Sequence, residues 1–377
     1  MKALPYIFLF ILLLGGCREP FEPGSKGYES ALVVDGLITD QAGPYKVQLS
    51  QTARLDSPLF MPYSNCTVIL EESTGKQELL KETKPGVYKT SEGGMHGTPG
   101  NAYRIRIETP EGQNYRSDFI DMKEPVQIDT VYAELQNITS NNYPGGLPGY
   151  QFYLNTEMAP EHNSYLYWKL TETYEYTADY KIDALYALDG YTRIFPRDSL
   201  YRCWNTQPVR QIFTDQTSDL IEPRLENHPL HFVGTNTKKL MKKYALLVEQ
   251  YTISQQGWQF WNDVKEQISE EDFLFIKQPY LIGGNVYNPN DAEEVVRGYF
   301  MVASSDSQRI FVDKPNTDFL YPHCGIDTNL QFISLLPKSE WPIYLTKFMG
   351  TYGTAEDDCF DCRLLGGELE PPDFWKE

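Results

Sequence analysis

The sequence predicts a mostly β protein, a β-sandwich followed by a larger antiparallel β-rich domain with one or two helices, on three observations. From Ala31 onward, short apolar runs such as YKVQLSQTA, CTVILEES and GVYKT are separated by turn signals roughly every 8 to 15 residues, the rhythm of sandwich strands. In SYLYWKLTETYEYTADY, Leu166, Trp168, Leu170, Tyr174, Tyr176 and Tyr180 share one parity, while Lys169, Thr171, Thr173, Glu175, Thr177 and Asp179 share the other. That period of two is the mark of long strands with one apolar face. The period lengthens clearly in one stretch alone, SQQGWQFWNDVKEQIS, where Trp258, Trp261, Val264 and Ile268 recur at steps of three and four.

Taken in order, residues 1–16 carry one basic residue, Lys2, and an apolar run from Tyr6 to Leu14. This is a signal peptide, since the run is well short of the roughly 20 residues a membrane-crossing helix needs. Residues 17–30, including REPFEPGSKGYE, have charge, proline and glycine without periodicity and read as a tether. Residues 31–125 form the sandwich; in AYRIRIETPEGQNYRSD, Tyr103, Ile105 and Ile107 alternate with Arg104, Arg106 and Glu108, and PEGQ supplies a turn. Residues 126–377 form the β-rich domain. Within it YALLVEQYTI is almost continuously apolar and is expected to be a central strand. A helix is expected near 254–268 behind the N-cap Ser254, with Trp258 and Trp261 packing it onto the sheet. NPNDAEE at 288–294 reads as a helix start or turn, and VVRGYFMVASSDSQRIFVDK as a hairpin turned at SDS.

Thirty-three basic against 52 acidic residues give a formal charge of −19, and loss of Lys2 with the signal peptide takes it to −20. Such a field disfavours nucleic acid and anionic headgroups as partners. The 27 tyrosines, 19 phenylalanines and 6 tryptophans suit strands, and their alternation with polar residues places the stripe at 166–180 in the core. The competing use of such rings is to stack on sugars or grip a peptide.

Export decides the cysteines, because disulfides are favoured over thiolate sites in an oxidising compartment. Cys203, Cys324, Cys359 and Cys362 are the disulfide candidates, with three possible connectivities; Cys359 and Cys362 join each other or reach Cys203 and Cys324. The competing zinc reading adds His323 and Cys324 to the C-x-x-C pair, but lacks the two closely spaced ligand pairs of structural zinc sites. A redox role lacks the activating helix N-terminus. Cys66, leading into TVIL, reads as a small buried residue.

No H-E-x-x-H, G-x-S-x-G, P-loop or dinucleotide fingerprint occurs. His228 and His231, flanking a proline in NHPLH, are expected in a surface loop. Glu172 and Glu175 form only one of many possible carboxylate pairs in so acidic a chain. No catalytic residue, metal ligand or cofactor is assigned.

Leu14-Gly15-Gly16-Cys17 resembles the lipobox of bacterial lipoproteins, which makes Cys17 the expected lipidation site, carrying acyl chains such as palmitate. With it, LVVDGLITD, GTPGNAYRIRIETPEGQNYRSD, YALLVEQYTISQQGWQFWNDV, GGNVYNPNDAEEVVRGYFMVASSDSQRIFV and CFDCRLLGGELEPPDFW resemble the Bacteroidota outer-membrane lipoproteins of domain-of-unknown-function family 4249. The resemblance implies an immunoglobulin-like β-sandwich at 31–125, a larger β-rich C-terminal domain, and association with a TonB-dependent outer-membrane barrel. It carries no catalytic residues. CREPFEP has only Glu19 and Glu22 around an arginine, where surface-exported lipoproteins of this phylum tend to have an acidic cluster, so the membrane face stays open. The resulting expectation is a lipid-anchored, non-enzymatic accessory protein of nutrient uptake. A structural or adhesive envelope protein is the alternative, followed by a glycan- or peptide-acting enzyme.

Overall fold

The computed structural model describes residues 30–53, 60–157, 164–187, 190–192, 199–217, 224–269, 282–337 and 342–375. Strands account for 50% of the chain and helices for 9%, so the mostly β expectation holds. Residues 1–29, which hold the expected signal peptide, Cys17 and nearly all of the expected tether, lie outside the described residues.

Two sheets enclose the first core. One runs in the order Arg297–Val302, Leu32–Ile38, Lys46–Gln51, Val87–Lys89, Lys81–Lys84, with Met61–Pro62 also on Lys46–Gln51. The other runs Val286–Tyr287, Asn114–Ser117, Ala102–Glu108, Thr67–Glu72, Gln77–Leu79, with Ile120–Asp121 on Ala102–Glu108. Alternation drives the packing. Val34, Leu49, Val68, Ile105, Ile107 and Phe300 are buried in one shared cluster, while Glu71 turns to the outer face and holds Arg104 at 2.6 Å and Arg106 at 3.2 Å.

This sandwich extends beyond the expected 31–125. Val286–Tyr287 pairs with Asn114–Ser117, and Arg297–Val302 runs parallel to Leu32–Ile38. The parallel approach is close enough to demand Gly298. Its φ is +78°, and a Cβ there would lie 2.0 Å from the Val34 carbonyl oxygen.

The expected hairpin at SDS is a crossover instead. Arg297–Val302 belongs to the first sandwich, and after Ala303 the chain enters Ser304–Asp313, which pairs with Lys243–Ile253 in the second body. Apolar run and polar tip look alike in sequence whether a chain folds back or crosses. Ser305, expected in the turn, donates from its N–H to Asp40 Oδ1 at 2.8 Å, tying the crossing to the loop after Leu32–Ile38.

The second body packs the sheet Arg202–Pro208, Tyr165–Thr177, Lys243–Ile253, Ser304–Asp313 against a three-stranded sheet, Ile128–Ile138, Leu147–Glu157, Arg224–Gly234. Lys243–Ile253 is central, as its apolar run predicts. Leu166, Trp168, Leu170 and Tyr176 are buried against Phe152, Leu154 and Val233. Trp168 Nε1 donates to Gln250 at 2.9 Å, which answers its buried N–H.

The opposite parity is not the wet face that the alternation implied. Tyr167 is covered by the helix, and near the far end Trp204 and Ala245 are covered by Trp375, with Phe374 and Phe311 beside it. Lys169 alone is exposed along the described face of Tyr165–Thr177. A small sheet, Gly190–Thr192, Ala184–Ala187, Ile343–Phe348, Thr351–Gly353, completes the body.

Candidate functional site

The helix Gln255–Ser269 starts where expected, and Ser254 Oγ accepts the Gly257 N–H at 3.1 Å. Trp258 packs on Tyr165 with ring centroids 5.7 Å apart, and Trp261 stacks on Tyr167 at 4.9 Å. Ile268, expected on the same face, is 59% exposed. Leu37 and Met301 from the first sandwich join these rings in a third core. The alternation along Arg297–Val302 sends Phe300 and Val302 into the first core and Tyr299 and Met301 into this one.

Beside this junction the described residues line a half-open cavity of about 1790 Å³. Tyr165, Phe260 and Tyr299 form its aromatic wall, and Phe260 lies 4.8 Å from Tyr299. The facing wall comes from residues 118–127, and the floor from Ile282 to Asn285 and Tyr287. Asn285 is committed to structure, since its amide donates to Phe300 O and accepts from Phe300 N, both at 2.8 Å. The acids are largely answered inside the cavity. Tyr287 donates to Asp118 at 2.9 Å, Gln259 to Asp263 at 2.7 Å, and Lys123 stands 3.7 Å from Asp121. Tyr299 differs. It is 6% exposed, and its hydroxyl has no hydrogen-bond partner among the described residues. Burial pushes its pKa up, partly offset by the Ser254 and Asn285 side chains, which stand beside the hydroxyl without closing a hydrogen bond of good geometry, so it remains a neutral donor.

The histidines of NHPLH lie in the strand Arg224–Gly234 rather than in a surface loop. A register shift opposite Phe152 and Tyr153 accommodates Pro229. His228 stacks on Trp168 at 5.0 Å and meets Asp215 at 3.1 Å. His231 Nε2 stands 3.9 Å from Glu172 Oε2, too far for a hydrogen bond.

Glu172 is the unexpected member of the apolar parity. Lys239 Nζ reaches it at 2.5 Å, Gln207 Nε2 at 2.7 Å and the Tyr244 hydroxyl at 3.0 Å. Burial raises its pKa, but His231 close by, Lys239 and Gln207, in that order, outweigh this and hold it down to about 2. A carboxylate so fully bonded is an ion-pair anchor that ties three strands of its own sheet to the turn at Lys238–Leu240. Glu175, three residues on, faces the other way and binds Arg202 at 2.8 Å, so the two carboxylates do not converge.

All four disulfide candidates are bonded. Cys203 pairs with Cys362, and Cys324 with Cys359. The C-x-x-C pair therefore diverges into two bridges instead of closing on itself. The zinc reading fails on the same fact: Cys324, Asp358 and Cys359 cluster, but both sulfurs belong to one disulfide. His323 is 3.7 Å from Asp179, which also accepts the Cys324 N–H at 2.7 Å and pairs with Lys238 at 3.0 Å. Cys66 is buried and free, as expected. The 288–294 segment is a turn, with Asn288 bridged to Asp291.

The cavity residues are not legible in the sequence because they come from five or more separated segments, among them 118–127, 164–165, 252–263, 282–287 and Tyr299. The one local cue was the odd parity of Tyr299 and Met301 within VVRGYFMV, which required a second apolar partner. The model of the family described as Domain of unknown function (DUF4249) matches residues 18–309, a span that includes every segment lining the cavity. No curated protein matches the chain.

Proposed function

The chain belongs to the DUF4249 family, and from that premise we propose that it is a lipid-anchored, non-enzymatic accessory protein of the outer membrane. It docks on a TonB-dependent barrel and helps capture or deliver a nutrient. The observation that carries this reading is the aromatic-walled cavity at the junction of the two sandwiches, a place to hold a ligand formed by side chains from both. Export is supported by the signal peptide, by Cys17 within its lipobox-like context, and by two disulfides that require an oxidising compartment. The first sandwich, immunoglobulin-like in this reading, acts as spacer or docking module, and the second carries recognition.

A gentle detergent pull-down of the tagged full-length protein from its native membrane, read by mass spectrometry, tests the proposal. A stoichiometric TonB-dependent barrel is the expected companion. Recovery of the protein alone, or only with copies of itself, overturns the accessory role in favour of a structural or adhesive one.

A further inference from the structure

The cavity also carries information about what it holds. Its volume of about 1790 Å³ exceeds the ~300–1,000 Å³ typical of drug-sized ligands, so an extended ligand fits it better than a single small metabolite. Its wall presents the partly exposed rings of Tyr165 and Phe260, flat apolar surfaces suited to the C–H faces of a sugar, with Phe260 backed by the buried Tyr299.

Charge narrows the class. Lys123 is the single basic residue among the cavity's described lining, against Asp118, Asp121, Glu124 and Asp263. That composition rejects phosphorylated, sulfated or otherwise polyanionic ligands by like-charge repulsion. It builds no convergent cation site either, because Asp118, Asp121 and Asp263 are turned to Tyr287, Lys123 and Gln259, and no three acids of the described lining come together. What remains for a ligand is a set of neutral or hydroxyl-directed groups. The buried Tyr299 O–H has no partner among the described residues, and Gln255 and Gln256 stand exposed on the first helical turn. A buried hydroxyl left without a partner favours a ligand group that accepts from it or donates to it.

We infer that this cavity is a binding site for a neutral oligosaccharide, with sugar rings stacked on Tyr165 and Phe260 and a sugar hydroxyl hydrogen-bonded to Tyr299. A peptide would leave this arrangement poorly used. Extended peptides are held through free strand edges, whereas the backbone along the facing wall is partly engaged: Val126 N–H donates to Thr252 at 3.0 Å and Val126 O accepts from Gln250 at 2.7 Å. The inference deepens the capture role proposed above and rests on it only for its biological sense.

The test uses the full-length protein in a detergent that carries no sugar headgroup. A panel of neutral hexasaccharides of differing linkage, a sulfated oligosaccharide and a tri-lysine peptide are titrated by calorimetry. At least one neutral hexasaccharide is expected to bind, and the sulfated probe is not. Tyr299→Phe, which removes one oxygen without disturbing the fold, is expected to weaken that binding about 5- to 10-fold. Tyr165→Ala is expected to weaken it about 10-fold or more, while Tyr132→Ala, at the Tyr132–Tyr153 stack on the other sheet, leaves it unchanged. Absence of binding by every neutral probe, preference for the peptide, or glycan binding that ignores both Tyr299→Phe and Tyr165→Ala overturns the inference. Glycan binding by a preparation that carries no barrel keeps the inference and removes the accessory reading. A barrel recovered with a protein that binds no glycan does the reverse.

Discussion

In the first sandwich the two sheets meet through Val34, Leu49, Val68, Ile105, Ile107 and Phe300, and the paired charges of Glu71, Arg104 and Arg106 stay on the outer face. In the second body the facing sheets share an equally apolar cluster that also encloses Glu172, with Lys239, Gln207 and Tyr244 bonded to it. Two disulfides secure its far end. An alternating apolar pattern is enough to hold a short sandwich together. The second body, with a C-terminal segment folded across one face, adds specific polar and covalent links that fix which strands meet.

The largest expected effect separates the two regions by reduction. Cys203 and Cys362 are 159 residues apart and Cys324 and Cys359 are 35 apart. In the chain-entropy account, loops of these lengths stabilise by about 5 and about 4 kcal/mol. Reduction, or the double substitution Cys203→Ser with Cys362→Ser, is expected to open the second body while the first sandwich stays protected. Hydrogen exchange read by mass spectrometry distinguishes the strand Lys243–Ile253 from Ala102–Glu108. Simultaneous loss of protection in both would mean that the crossing strand Arg297–Val302 makes them one cooperative unit, and the contrast would collapse.

Next in size is the interior ion pair. Lys239→Met leaves Glu172 charged at 2% exposure with only the neutral donors Gln207 and Tyr244 and no counter-charge, which is expected to cost about 3–5 kcal/mol in a denaturant titration. Adding Glu172→Gln should recover most of that loss. The acid limb gives an independent check. The folded pKa of Glu172 is near 2 against an ordinary 4.5, so its contribution is fully present above about pH 4.5 and is lost as pH falls through about 2. Glu172→Gln is therefore expected to flatten the stability profile of the second body between those values. An unchanged slope would show that Lys239 contributes through packing rather than charge.

The contrast also explains what could be read from the sequence. Strand character, the helix and its cap, the central place of YALLVEQYTI and the buried aromatic stripe all follow from local periodicity, and each stands as expected. Glu172 was invisible because its partners Gln207, Lys239 and Tyr244 are 35, 67 and 72 residues away, and nothing near it in sequence advertises them. The polar parity of Tyr165–Thr177 was misread for the same reason: Trp375, Phe374 and Trp261 cover it from far along the chain. His228 and His231 looked like loop residues because proline usually excludes a strand, and the register shift that admits Pro229 leaves no mark in composition. The cavity required the crossover at Ala303, which shares its sequence signature with a hairpin.

The smallest effect lies at the seam between the regions. Ser254 caps the helix through the Gly257 N–H, and the helix contributes Phe260 to the cavity wall while Trp258 and Trp261 pack onto Tyr165 and Tyr167. Ser254→Ala removes the cap at a cost of about 1 kcal/mol, close to a fivefold change in the local opening equilibrium. Amides in the first two turns of Gln255–Ser269 are expected to exchange about five times faster, with Ala102–Glu108 unaffected. If the added exchange extends into Arg297–Val302, the helix braces the junction itself, because Phe260 on Tyr299 would then be the contact that holds the crossing strand between the two cores. Confinement to the helix would mean that the two sandwiches meet through Leu37 and Met301 independently of it, leaving the helix as the adjustable wall of the cavity.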